Sequence, residues 1–233
     1  MYKKILLLLA SLLLSASSVC AGDFEDAVAA YQKNDFKLAF TSFEKLAKQG
    51  NGLSQYLLGT MYHEGAGIDK NISEAVNWYK LAAAQGLVEA QFNLGYLYEN
   101  GDGVRQDYTE SMKWYRLGAD NGHAKSQTNL AVLYATGKTN SKDYAEGIKW
   151  FKLAAAQGES KAQGMLGGMY YNGDGVAQDY LRAHMWLNLS SINGQSVFQD
   201  IRNFVASKMT SQQIAEAQKL ARECQARNFK NCD

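Results

Sequence analysis

Three histidines, three cysteines and two glycine–acid–glycine turns are the residues of this chain that could do chemistry, and their spacing limits what they could do. His63, His123 and His184 stand at unrelated points, with no carboxylate or cysteine at a ligand-like interval from any of them. A zinc site needs three or four converging ligands, and a nucleophile–base pair needs a recognisable nucleophile. Neither pattern occurs. The sequence therefore implies no metal, no cofactor and no enzyme, with weak hydrolysis in a groove as the remaining alternative. Gly101-Asp102-Gly103-Val104 and Gly173-Asp174-Gly175-Val176 invite comparison with phosphate or calcium loops. Both lack the lysine of a phosphate loop and the spaced carboxylates that calcium requires, and they read as turns.

The cysteines point to a compartment. Lys3 and Lys4 precede an apolar run from Ile5 to Leu14, and Val19-Cys20-Ala21 ends it as a small-residue cleavage site. This pattern predicts a signal peptide over residues 1–21, removed after Ala21. Lipidation at Cys20 is the alternative, but Ser17-Ser18-Val19 before it fits that reaction poorly. No later stretch approaches the roughly 18 consecutive apolar residues of a membrane span, so no integral membrane segment is expected after cleavage. Removal of Lys3 and Lys4 leaves 22 basic residues against 23 acidic ones, a net of −1. No basic run remains, which argues against nucleic acid as a partner. Cys224 and Cys232 survive cleavage, and in an oxidising compartment the pair favours a disulfide over two free thiols.

The elements that must carry any site repeat with a period of 36. Gly50, Gly86, Gly122, Gly158 and Gly194 keep that step, as do Trp78, Trp114, Trp150 and Trp186. So do Tyr62, Tyr98, Tyr134 and Tyr170, and Gly65, Gly101, Gly137 and Gly173. A unit this short cannot bury an apolar face alone and must stack on its neighbours. Within one copy, Ala90, Leu94, Leu97 and Tyr98 lie on one face of a helix A that Gly101 ends. Asp107 and Glu110 then form a capping signature for helix B, repeated as Asn71/Glu74 and Asp143/Glu146 and failing at Asp179/Arg182. The small residues Gly59, Gly95, Ala131 and Gly167 predict a close neighbour, with the helix B tryptophan as the expected ring. Ala75, Ser111, Gly147 and Ala183 predict a second close contact. The tryptophans, beside Tyr79, Tyr115 and Phe151, read as core.

Four copies span residues 53–194, preceded by a capping helix pair over 22–52 and followed by closing helices over 195–233. The closing pair is expected at Val197–Lys208 and Ser211–Ala226, with Thr210 as N-cap. Without proline or a linker-like stretch, residues 22 onward read as one continuous domain.

The run from Glu89 to Tyr108, Glu-Ala-Gln-Phe-Asn-Leu-Gly-Tyr-Leu-Tyr-Glu-Asn-Gly-Asp-Gly-Val-Arg-Gln-Asp-Tyr, with Met112-Lys-Trp-Tyr after it, resembles the Sel-1-like repeat, a relative of the tetratricopeptide repeat. The fourth copy is similar through Leu166-Gly-Gly-Met-Tyr-Tyr-Asn-Gly-Asp-Gly-Val. In the third, Lys138-Thr-Asn-Ser replaces the glycine-containing turn, and a loop of different shape is expected. The resemblance implies an all-α, right-handed α/α superhelical solenoid that acts as an adaptor or scaffold. Exported bacterial members include host-interaction factors, envelope-assembly proteins and immunity proteins against secreted toxins. A cysteine-rich branch linked to β-lactam binding carries a disulfide within each repeat, and this chain has none there.

Gln55, Gln91, Gln127 and Gln163 do not vary between copies, nor do Leu58, Leu94, Leu130 and Leu166. Three helix A series do vary. They are Tyr56, Phe92, Thr128, Gly164; Thr60, Tyr96, Val132, Gly168; and His63, Glu99, Ala135, Tyr171. These positions fall at i, i+4 and i+7, on one helix face. In tetratricopeptide-like solenoids helix A lines the inner groove, so the resemblance makes this face the candidate binding surface. The residues expected to hold a partner are Tyr56, Thr60, His63, Phe92, Asn93, Tyr96, Glu99, Asn129, Val132 and Met165. Taken singly, Tyr56, Phe92 and Tyr96 read as packing between helices, and the asparagines could bond a neighbouring helix end; the binding surface is expected of the set. The expected role is a monomeric periplasmic or secreted scaffold for a protein or peptide. The alternatives are an immunity protein, a structural envelope component or a weak β-lactamase-like hydrolase.

Overall fold

The computed structural model describes residues 18–192 and 196–232. Residues 1–17 of the expected leader, and Gly194 at the end of the fourth copy, lie outside the described residues. Everything described is helix, turn or loop, and the chain is all-α. The helices group into two compact units that divide between Asp107 and Tyr108. The first unit holds α1 (Ser18–Gln32), α2 (Phe36–Lys48), α3 (Gly52–Glu64), α4 (Ile72–Ala84) and α5 (Val88–Asn100). The second holds α6 (Tyr108–Asp120), α7 (Ala124–Thr136), α8 (Tyr144–Ala155), α9 (Ser160–Asn172), α10 (Tyr180–Ile192), α11 (Ser196–Ala206) and α12 (Ser211–Ala226). Within each unit the helices pack consecutively as far as α11, and α12 packs back on α10.

Glycine ends each helix A. Gly65, Gly101, Gly137 and Gly173 have φ of +74°, +78°, +69° and +79° and donate to the carbonyls of Met61, Leu97, Leu133 and Met169. A left-handed residue at this point costs glycine little and any Cβ-bearing residue more. The third turn does differ in shape. A Cβ on Gly137 would lie 2.9 Å from the carbonyl oxygen of Asn140, against 3.5 Å from that of Val176 at Gly173. Both loops nevertheless close alike, through Asp143 N–H to Tyr134 C=O at 3.0 Å and Asp179 N–H to Tyr170 C=O at 2.9 Å.

Helix B starts on an Asx cap. Asn71 accepts from the Glu74 amide at 3.1 Å and Asp143 from the Glu146 amide at 3.0 Å. The fourth copy, where the signature fails in sequence, caps as well. Asp179 accepts from the Arg182 amide at 2.9 Å and pairs with its guanidinium at 2.9 Å. The cap needs only a backbone N–H at the third position, so the side chain there is free to change. Thr210 and Gln213 form the reciprocal capping box that opens α12.

The core corrects one expectation. Gly59 makes room for Tyr79, not Trp78: a Cβ there would lie 2.8 Å from the Tyr79 ring. In the fourth copy the same place is taken by Leu187, 2.6 Å from a Cβ on Gly167. In these two copies the residue after the tryptophan fills the notch, and Tyr79, Tyr115, Phe151 and Leu187 are all wholly buried. Burying a side chain of this size contributes about 1.5–3 kcal/mol. Trp150 and Trp186 are buried beside them, while Trp78 and Trp114 are half-buried. The second close contact is where the small residues predict it, with the Ala75 carbonyl 3.3 Å from a Cβ on Gly59 and the Ala131 carbonyl 3.3 Å from one on Gly147.

Candidate interaction surface

The invariant glutamines do interhelical work. The last carbonyls of a helix have no partner within it. Gln55 and Gln91 donate to Ala47 and Ala83 near the ends of α2 and α4, at 3.1 and 3.3 Å. Gln127 and Gln163 do the same for Ala119 and Ala155 near the ends of α6 and α8, at 3.1 and 3.3 Å. These residues are therefore committed to packing, and the variable positions are what a partner could read.

The structure divides the variable positions. In the first unit, Tyr56 is 2% exposed, with its ring 5.7 Å from that of Tyr79. Thr60 is 4% exposed, donates to the Tyr56 carbonyl and accepts from the Tyr79 hydroxyl. Both lie inside the α3–α4 contact and present no side chain to a partner. His63 is half-buried, edge-on to Tyr79 at 6.4 Å. Burial, then the Lys70 ammonium, pushes its pKa below the ordinary value. On α5, Phe92, Asn93 and Glu99 are half-buried, and Tyr96 is 46% exposed.

In the second unit, Thr128 is buried and donates to the Ala124 carbonyl. Gly164, the next residue of that series, lies under the Phe198 ring, 2.5 Å from where a Cβ would stand. Asn129 donates to the Tyr115 hydroxyl at 3.0 Å and accepts from Lys161 at 3.1 Å, so its amide bonds to neighbouring helices. Val132, Ala135, Met165 and Tyr171 are half-buried, and Gly168 faces open space. One residue escaped the sequence reading. Phe204 on α11 stands one 36-residue step beyond Gly168 and is 48% exposed, with its ring edge-on to Tyr171 at 5.9 Å and Lys208 over it at 5.2 Å. Extending the period one step past Gly194 would have found it.

His123 and His184 lie away from this face. Burial lowers both pKa values, helped by Lys125 at His123 and by Arg202 at His184. Among the described residues no group of three histidine, cysteine or acidic side chains could hold a metal ion. No helix among them is long and apolar enough to cross a membrane. The expected disulfide is present, joining Cys224 to Cys232.

A family model for the Sel1 repeat matches residues 52–87, 88–123, 124–159 and 160–201. The chain belongs to the Sel1 repeat family. Among solved structures, it is 33% identical to a Sel1 repeat protein from Oxalobacter formigenes, over 77% of this chain and 74% of that one, with a TM-score of 0.71. It is 27% identical to a protective antigen of uropathogenic Escherichia coli with the SLR fold, over 91% of this chain and 54% of that one, at a TM-score of 0.57. An immunity protein from Pseudomonas aeruginosa, 18% identical over 96% of this chain and 88% of that one, shares the fold at a TM-score of 0.51. No curated protein matches the chain. The all-α helix pairs are thus those of a Sel1 repeat solenoid. Sel1 repeat proteins generally mediate protein–protein contacts and are generally non-enzymatic scaffolds.

Proposed function

We propose that this Sel1 repeat protein is an exported, non-enzymatic scaffold that binds a protein or peptide on the open face of its A helices. The observation that carries the reading is the exposure of Tyr96 and Phe204. Phe204 stands on the closing helix α11, three 36-residue steps beyond Tyr96, and the two are 48% and 46% exposed, whereas Thr60, one step before Tyr96, is 4% exposed. Exposed aromatics at a periodic position suit a protein interface, because a ring brings large contact area with few rotors to order. Each unit contributes its own patch. Phe92, Asn93 and Glu99 accompany Tyr96 in the first, and Val132, Gly168, Met165 and Tyr171 accompany Phe204 in the second. The leader over residues 1–21 and the disulfide, a bond that persists in oxidising compartments, support a periplasmic or secreted location.

The test is an affinity pull-down from cell envelope and culture medium. The baits are tagged residues 22–233 and the same chain with Tyr96→Asp and Phe204→Asp. A partner retained only by the unaltered bait supports the reading, and its identity separates immunity, envelope-assembly and host-directed roles. Equal recovery by both baits overturns the surface assignment. Export is tested separately, by the N-terminal residue of the protein recovered from a periplasmic extract, expected to be Gly22.

A further inference from the structure

Four turn glycines follow the B-type helices α2, α4, α6 and α8, and only the last is covered. Cβ atoms on Gly50, Gly86 and Gly122 would meet nothing within 4 Å. At Gly158 the Phe229 ring is seated 3.0 Å from that point. Phe229 belongs to the nine-residue loop closed by Cys224 and Cys232, and it reaches back from α12 to the end of α8. The loop is held in an unusual conformation. Asn228, Phe229 and Asn231 have φ of +51°, +59° and +52°, and a bulky residue rarely adopts the left-handed region without being forced. Phe229 N–H donates to the Cys224 carbonyl at 2.9 Å, so the ring's direction is set beside the bridged cysteine itself.

The two cysteines differ in exposure. Cys224 is wholly buried on α12, whereas Cys232 keeps 8% of its surface. A cavity of about 520 Å³ reaches Cys232, walled by Arg182 and Met185 of α10 and by Leu220, Glu223 and Arg227 of α12 and the loop. Asp179 and Glu223 line the opening beside Arg182 and Arg227, so its charge is balanced, and access to a sulfur controls which one is attacked.

We propose that Cys224–Cys232 is an exchangeable disulfide, attacked at Cys232 by a dithiol reductant, and that its reduction releases Phe229 from Gly158. In the first step a reductant thiolate bonds to Cys232 Sγ, the Cys224–Cys232 bond breaks, and Cys224 leaves as a thiolate that takes up a proton. The reductant's second thiol then attacks its own sulfur of the mixed disulfide, frees Cys232 as a thiol and leaves the reductant oxidised. The protein gains two electrons and two protons, and the reductant loses both. With the loop open, the left-handed residues relax, the ring leaves the α8 turn and α12 loses its tie to that end of the second unit. This inference is independent of the helix A reading.

The experiment uses the oxidised full chain. Brief treatment with reduced glutathione, a monothiol that stops at the mixed disulfide, is followed by alkylation and peptide mass spectrometry. The adduct is expected on Cys232, and an adduct mainly on Cys224 overturns the assignment of the attacked sulfur. Full reduction with dithiothreitol is then followed by hydrogen exchange at residues 156–159 and by tryptic cleavage after Arg227 and Lys230. At least tenfold faster exchange and cleavage is expected, with α7 and α9 unchanged. A Phe229→Ala chain with the disulfide intact should show the faster exchange at 156–159 without the faster cleavage. Equal protection of oxidised and reduced chains overturns the proposal.

Discussion

Gln85 donates from Nε2 to Gln55 Oε1 at 2.8 Å and to the Gly50 carbonyl at 3.0 Å, while Gln55 itself donates to the Ala47 carbonyl at 3.1 Å. One relay of two amides thus ties the ends of α2 and α4 to the start of α3. The second unit repeats it with Gln157 on Gln127 at 2.9 Å and Gln127 on Ala119 at 3.1 Å. An amide is the group that can accept from one neighbour and donate to another at a helix end.

Replacing Gln55 by Leu should therefore remove one of the two hydrogen bonds to the Ala47 carbonyl, which keeps that from Gly50 N–H at 3.0 Å, and should destabilise the fold by about 0.5–1.5 kcal/mol. Gln85→Ala removes only the partly exposed end of the relay and should cost less than about 1 kcal/mol. Urea midpoints of the two variants check this. Equal losses would mean that the relay, and not the buried carbonyl, carries the energy.

Two glycines should respond to alanine with opposite signs. Gly168→Ala should stabilise by about 0.5–1 kcal/mol, because the helix gains propensity and the new methyl meets open space. Gly59→Ala should destabilise by about 1–3 kcal/mol, because its methyl would stand 2.8 Å from the buried Tyr79 ring. Thermal melts of both variants decide, and a stabilised Gly59→Ala would remove Tyr79 from the notch.

Acid should loosen the chain through its buried histidines. His184 is 3% exposed, and burial followed by Arg202 lowers its pKa from 6.5. Its folded value lies below its unfolded one, so the unfolded chain takes up the proton first as pH falls. Stability is then at its full value above about pH 6.5 and declines as pH drops through the folded value. His184→Gln should show a smaller difference in melting temperature between pH 7.5 and pH 5 than the unaltered chain. An unchanged difference would assign the acid sensitivity to other groups.

Charge on the helix A face should separate binding from folding. Tyr96→Asp should leave stability within about 0.5 kcal/mol, as at other exposed positions. Phe204→Asp should cost up to about 1.5 kcal/mol through its ring contact with Tyr171. Tyr56→Asp puts a carboxylate inside the α3–α4 contact and should cost about 3–5 kcal/mol, so loss of binding in that variant says nothing about the surface. Circular dichroism melts run beside the pull-down check all three.

The helices, their glycine stops and their Asx caps were legible in the residues, because each is set within a few residues and repeated four times. The cysteine pairing was legible as well. The open part of the A face was not. Tyr56 and Tyr96 look alike in sequence, yet Tyr79 and Thr60 enclose Tyr56 while Tyr96 stays open. Trp78 and Tyr79 are adjacent aromatics, about 100° apart around a helix, and spacing alone does not phase which one meets Gly59. Gly164 is covered by Phe198, which folds back from α11. The 36-residue period, by itself, determined a stack of helix pairs, since a unit that cannot bury its own face has to share one with its copies. Tertiary structure decided which side chains that sharing consumed and which, like Tyr96 and Phe204, it left uncovered, because coverage comes from residues distant in the chain that no local pattern records.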